Sequence, residues 1–457
     1  MTTNASRRAF LQRASALSVA GAATPWVLNL AALGEAAAAT ATDYKALVCV
    51  FLYGGNDYAN TLIPYDTANY TAYQAMRPPL AYAQTDLAAT VLAPSVALAS
   101  GRQYALAPEL SPLLPLFTAN KLGVMLNIGT LVQPTTKAQY TAASVPLPPK
   151  LFSHNDQQSV WQSSAPEGAT SGWGGRMGDL FVAGNGNATF TCVNVSGNAV
   201  FLSGQNAVQY QVGPSGPVAL AGVKSPLFGS SACSTALNSL VTATRTDVFE
   251  SEYNRVMTRS LNAGSQLTAA LAAAPALTTV FPAGNALAAQ LNLVARMISN
   301  ANAIGAKRQV FFVSIGGFDT HSSLNAVHPG LLTTVANAMS AFYSATVELG
   351  VANQVTAFTA SDFGRTATGS DGSDHGWGSM HFMLGGAVKG GRFYGTPPAV
   401  ANNGPDDVGQ GRLLPSTSVD QYAATLGKWF GISDTDLPAV LPNLTHWDAS
   451  ARNLGFV

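Results

Sequence analysis

KALVCVFLY, residues 45–53, followed without a break by GGND, residues 54–57, decides the fold. The run is almost wholly apolar and rich in branched and aromatic side chains, and it stops at a glycine pair. A strand buried on both faces reads this way, as in a parallel sheet. Three more stretches repeat the pattern: KLGVMLNIG (121–129), RQVFFVSIGGFDTH (308–321) and QVTAFTASDFGR (354–365). Between them, residues 108–120, 231–273, 285–304 and 331–350 carry helical periodicity. The spacing of LFSHNDQQSVWQS (151–163) predicts a short helix with Ser153 at its N-cap. Residues 188–212 alternate apolar and polar with Gly and Asn between, which predicts short antiparallel strands or an inserted β-rich flap within 188–230. Strands alternating with helices give an α/β domain with a doubly wound, mostly parallel sheet, spanning residues 42–457. Its ligands are expected beyond the carboxyl ends of the strands.

The chain of 457 residues carries 23 basic and 23 acidic side chains, with 10% charged and 47% hydrophobic residues. Neutrality without a basic cluster excludes a nucleic-acid binder, which must displace counterions. The apolar content excludes a disordered chain. Cys49, Cys192 and Cys233 stand too far apart for a zinc knuckle or a disulfide framework. At the N-terminus, SRRAFLQ (6–12), the mildly hydrophobic stretch to about Leu33 and the small residues 36–41 resemble a twin-arginine export signal covering residues 1–41. Pro25 and the Ala/Gly content argue against a membrane anchor. The expectation is a bacterial protein exported folded by the twin-arginine translocase to the periplasm or beyond, with no membrane span in the mature chain.

Polar residues collect at the strand ends. Asp57 follows the first strand, Asp319 and His321 close GGFDTH, Asp362 follows the fourth, and SDHGWGSMH (373–381) adds Asp374, His375 and His381. Carboxylate and imidazole donors converging from separate strand ends suit a Zn²⁺- or Mn²⁺-class ion.

Taken together, GGNDYAN, SHNDQQSVWQ, GGFDTH, SDFGRT and DHGWGSMHFMLGG behind such a signal resemble the exported bacterial family known as domain of unknown function 1501. That family is grouped with the alkaline phosphatase and sulfatase superfamily. The resemblance implies an alkaline-phosphatase-like α/β core, one or two divalent ions (Zn, Mn or Ca), and hydrolysis of phosphoric or sulfuric esters on a small-molecule or polymer substrate. It makes Asp57, Asp319, His321, Asp362, His375 and His381 the metal ligands and Ser153 the nucleophile. Arg365 or Arg176 becomes the clamp on the transferring group. Departures from the pattern bear on this plan. Phe363 stands where two-metal hydrolases place a second histidine, no CxPxR or SxPxR sulfatase motif occurs, and the DxH spacing of Asp319 and His321 leaves His328 as a substitute. His154 and Asp156, beside Ser153, are alternatives as ligand or base.

GGND also resembles the GxND block of SGNH esterases, but no serine block precedes it except the export signal, and no GxSxG elbow occurs. The remaining alternative is a non-catalytic periplasmic or cell-surface protein that binds a glycan, polymer or protein on the same core. Trp161, Trp173 and Trp377 then become either sugar platforms or core residues.

Overall fold

Strand β1 (Lys45–Leu52) lies at the centre of the sheet, and its residues divide between two cores. Ala46, Val48, Val50 and Leu52 face one apolar cluster, while Leu47, Cys49 and Phe51 face another. Side chains alternate across a strand, so an unbroken apolar run satisfies both faces only with a layer packed on each. The computed structural model describes residues 41–457 apart from Ala219, so the proposed export signal, but for its last residue, lies outside the described residues.

The other strands of the central sheet are β2 (Leu122–Gly129), β3 (Cys192–Asn194), β4 (Tyr210–Gln211), β5 (Arg308–Ile315), β6 (Val355–Ser361), β7 (Ser379–Gly385), β8 (Phe393–Tyr394) and β9 (Thr417–Ser418). Across the sheet the order is β8-β2-β7-β6-β1-β5-β3-β4, with β9 beside β2. β1 pairs in parallel with β5 and β6 over nearly its whole length. Only β7 runs against its neighbours, β2 and β6. The result is a mixed α/β fold on a mostly parallel sheet.

Seven helices matter to the account: α1 (Thr67–Met76), α2 (His154–Ser163), α3 (Ser231–Thr242), α4 (Val248–Ala273), α5 (Ala286–Ser299), α6 (Leu324–Glu348) and α7 (Val419–Phe430). Helices α5 and α6 cover the first face through Leu287, Leu291, Leu332 and Val335. Helix α7 covers the second through Val419, Tyr422, Leu426 and Phe430. It begins in a Ser418/Gln421 capping box and stops at Gly431, whose φ of 114° suits glycine.

Two expectations change. Residues 188–230 hold β3 and β4, but both add in parallel to the edge of the main sheet instead of forming antiparallel pairs. The stretch SMHFMLG forms a further strand, β7, which takes in His381 and parts it from Asp374 and His375. Trp161, Trp173 and Trp377 are each at most 2% exposed, so they are core residues and not sugar platforms.

Candidate metal centre

The ends of β1, β5 and β6 meet because glycine lets them. Gly54 has φ 114°, and a Cβ there would collide with the backbone nitrogen of Asp319. This contact brings the loop after β5 against the loop after β1. Gly372 does the same for the loop after β6, where a Cβ would strike the backbone of His321.

Three imidazoles then surround one carboxylate oxygen. Asp319 Oδ1 lies 3.0 Å from His321 Nε2, 3.3 Å from His154 Nε2 and 3.4 Å from His375 Nε2. His321 Nε2 and His375 Nε2 are 2.9 Å apart. Donor atoms of His154, Asp319 and His375 all lie within 4.8 Å of one another, as do those of His321, Asp374 and His375.

The far nitrogen of two of these rings is spoken for by a group that can only accept. His154 Nδ1 is 2.6 Å from Asp362 Oδ2, and His375 Nδ1 is 2.7 Å from the Phe152 carbonyl oxygen. Both Nδ1 atoms therefore carry the proton, and the Nε2 lone pairs point inward. His321 Nδ1 faces Asp374 Oδ1 at 3.7 Å. Metal-binding histidines are held by outer partners in this way. A buried polar atom without a hydrogen-bond partner points to the same conclusion, because His154 Nε2 is such an atom. Three nitrogens and one oxygen fit a tetrahedral Zn²⁺-class ion.

Charge is arranged to match. The hydrogen bond to Asp362 raises the pKa of His154 against the effect of burial. Burial pulls His375 down and keeps it neutral. Burial also pushes the Asp319 carboxyl upward, but Arg365, whose Nη1 lies 2.6 Å from Oδ1, outweighs it and holds the group below the usual range.

Several expected ligands stand elsewhere. Asp57 is fully buried, and Arg77 takes both of its oxygens at 2.8 Å, with Ser373 Oγ at 2.6 Å and the Asn60 amide at 2.9 Å completing the shell. A guanidinium thus occupies the carboxylate expected to hold an ion. Asp362 stands behind His154: its Oδ2 accepts from His154, from Gln158 Nε2 at 2.8 Å and from the Gly54 amide at 3.2 Å. His381 sits mid-strand in β7, where alternation turns it into the core beside Trp161, with Nδ1 3.1 Å from Thr359 Oγ1. His328 is fully buried against Asn56 and does not replace His321. Phe363 packs its ring against His154 and His375, with centroids 4.8 and 4.9 Å away.

The expected clamps are engaged as well. Arg365 is fully buried and binds Asp319, the Gly54 carbonyl and the Ser373 carbonyl. Arg176 binds the carbonyls of Val440, Ser171 and Ser163. Ser153 stands at the N-cap of α2 as expected, but its Oγ makes no capping bond to the helix backbone and donates instead to Asp156 Oδ2 at 3.0 Å. Arg77, Gln158 and Arg412 had no signal in the sequence. Arg412 donates to the His375 carbonyl at 2.6 Å and lies over the Phe152 ring at 4.9 Å.

A family model described as "Protein of unknown function (DUF1501)" matches residues 44–441, and the chain belongs to that family. No curated protein matches. Among solved structures, the chain is similar to Ps i-CgsB in complex with k-i-k-neocarrahexaose, at 8% identity over 88% of this chain and 77% of that one, with a TM-score of 0.35. It is similar to a sulfatase from Pseudoalteromonas sp. at 10% identity over 94% and 74%, with a TM-score of 0.34. Likeness to the alkaline phosphatase of the Antarctic bacterium TAB5 is 10% identity over 77% and 95%, with a TM-score of 0.30.

Two predictions follow from the geometry. Replacing Asp319, His154 or His375 by alanine should strip metal from the protein, read by elemental mass spectrometry after gel filtration, whereas His381→Gln and Asp57→Asn should retain it. Asp362→Ala should weaken binding about 10- to 100-fold. Loss of metal in His381→Gln with retention in His154→Ala would reverse the assignment.

The second concerns acid stability. Burial tends to raise the Asp57 pKa, but Arg77 and Ser373 bring it from 3.8 down to about 2. A depressed pKa stabilises the fold above the unfolded value and loses that contribution as pH falls through the folded one. Denaturant unfolding should therefore lose about 2 kcal/mol through this group between about pH 5 and pH 2. Asp57→Asn should flatten that limb, and an unchanged limb would remove Asp57 as its source.

Proposed function

We propose that this member of the DUF1501 family is an exported, metal-dependent hydrolase of phosphoric or sulfuric esters, built on a single-metal centre. The observation that carries the reading is the convergence of three imidazole Nε2 atoms on Asp319 Oδ1, with the outer nitrogens of His154 and His375 fixed by Asp362 and Phe152. His154, Asp319, His321 and His375 would hold the ion. A divalent ion there supplies Lewis acidity, neutralising the charge of the transferring group and acidifying a bound hydroxyl.

The chain's own residues do the rest. Arg365 holds the Asp319 carboxylate in place through Oδ1 with a guanidinium that is itself buried. Asp319 and His321 are 45% and 48% exposed, so the centre opens to solvent on one side, as a catalytic site requires and a closed structural site does not. Ser153, next to His154, is the nucleophile of this reading, and Asp156 is within hydrogen-bond reach to take its proton. The serine oxygen bonds to phosphorus or sulfur as the bond to the ester's alcohol breaks. The proton held by Asp156 neutralises the departing alkoxide, and water then cleaves the serine ester. Arg412 takes the part of the clamp in this reading: it lies over Phe152, bonds the His375 carbonyl and pairs with Asp374 at 3.2 Å, and an anionic substrate would have to compete with Asp374 for it. No helix among the described residues is long and apolar enough to cross a membrane, which fits export as a free protein.

The test is turnover of activated phosphate and sulfate esters by metal-loaded protein. Ser153→Ala should lower kcat by at least about a hundredfold, the scale of losing a nucleophile, with metal content unchanged. Unaltered kcat would remove Ser153 from the mechanism. Full metal occupancy with no turnover of any ester would favour the binding-protein alternative.

A further inference from the structure

The amphipathic stripe of α4 outruns the domain it packs on. Phe249, Tyr253, Val256, Ser260, Ala263, Leu267 and Leu271 recur at helical spacing and share one face. Its C-terminal half is core: Ala263, Leu267 and Leu271 are 3%, 0% and 8% exposed. The N-terminal half continues the same stripe into solvent, with Phe249 at 85%, Tyr253 at 58% and Val256 at 40%. Helix α3 lies alongside and adds Leu240, 58% exposed, to a groove of about 650 Å³ that Phe249 and Tyr253 also line. An apolar surface this continuous on a helix arm marks an interaction site.

Charge identifies the occupant. Glu252, Arg255 and Arg259 lie along one flank of the exposed stripe. Among the described residues only a solvent-facing pair forms there, between Arg255 and Glu252 at 2.6 Å, with side chains 72% and 51% exposed. One flank that carries both signs is complementary to itself when reversed. In an antiparallel pair of α4 helices centred between Tyr253 and Val256, each tyrosine lies against Val256 of the partner subunit and Phe249 against Ser260 of the partner subunit. Glu252 then falls between Arg255 and Arg259 of the partner subunit. Every contact is made twice, as a twofold interface demands. We infer that the exposed arm of α3 and α4 is a homodimerisation surface, and that its occupant is the same arm of a second copy of this chain.

The mature protein should run as a dimer in light scattering coupled to gel filtration over a wide dilution series. Phe249→Glu with Tyr253→Glu should give a monomer whose thermal midpoint stays cooperative. Glu252→Arg alone should weaken the dimer, and adding Arg255→Glu and Arg259→Glu should restore it, because the reversed flank is again self-complementary. A monomeric wild-type protein, or a dimer indifferent to these changes, would overturn the inference. A Cys233→Ser chain carrying Tyr253→Cys and Val256→Cys gives a second, covalent readout at the seam itself. Mild oxidation should join two copies, and failure to cross-link would likewise overturn the inference.

Discussion

One carboxylate oxygen fixes the site. Asp362 Oδ2 accepts from the Gly54 amide, His154 Nδ1 and Gln158 Nε2, and so ties the ends of β1 and β6 to the first turns of α2. Its side chain is fully buried, where an ionised group is tolerable only if its donors are in place. His154 depends on it for tautomer and direction. Asp319 depends in turn on the contact between Gly54 and its backbone, and on Arg365. Loosening Asp362 would release two of the four donor groups from their geometry.

A second buried interaction decides what the site is not. Arg77 closes on Asp57 with two parallel bonds in a place where neither partner reaches solvent. Such a pair is poor evidence of stability for its own sake, since desolvation cancels much of its attraction, but removing one partner leaves a buried charge. In functional terms it fills the first strand's carboxylate with a permanent cation. Phe363, packed on two of the histidines, occupies the neighbouring position with an apolar ring. Together they leave neither of those two positions a free donor for an ion.

The sheet was legible because its signal is physical and local: a strand such as KALVCVFLY cannot satisfy two apolar faces outside a covered sheet. The positions of Asp319, His321 and His375 followed from the same logic, since polar residues just past buried strands must gather at one rim. Legibility failed where direction, and not position, decides. Asp57 and Asp362 lie at strand ends as expected, yet one turns to Arg77 and the other stands behind His154. Arg77 is 20 residues from Asp57 and carries no motif. His381 stands apart from the other donors because SMHFMLG is a strand paired with β2 and β6, and that pairing, which turns the ring into the core, carries no local signal. His154 stood among the alternatives, but nothing in SHNDQ says that its ring reaches past Ser153 to face Asp319.

The central claim is the identity of the donor set, and X-ray absorption of the zinc-loaded protein tests it most directly. The account predicts three imidazole nitrogens and one or two oxygens at about 2.0–2.2 Å, and no bound zinc left to give a spectrum in His154→Ala. An all-oxygen shell, a single imidazole, or a spectrum unchanged by that substitution would contradict it.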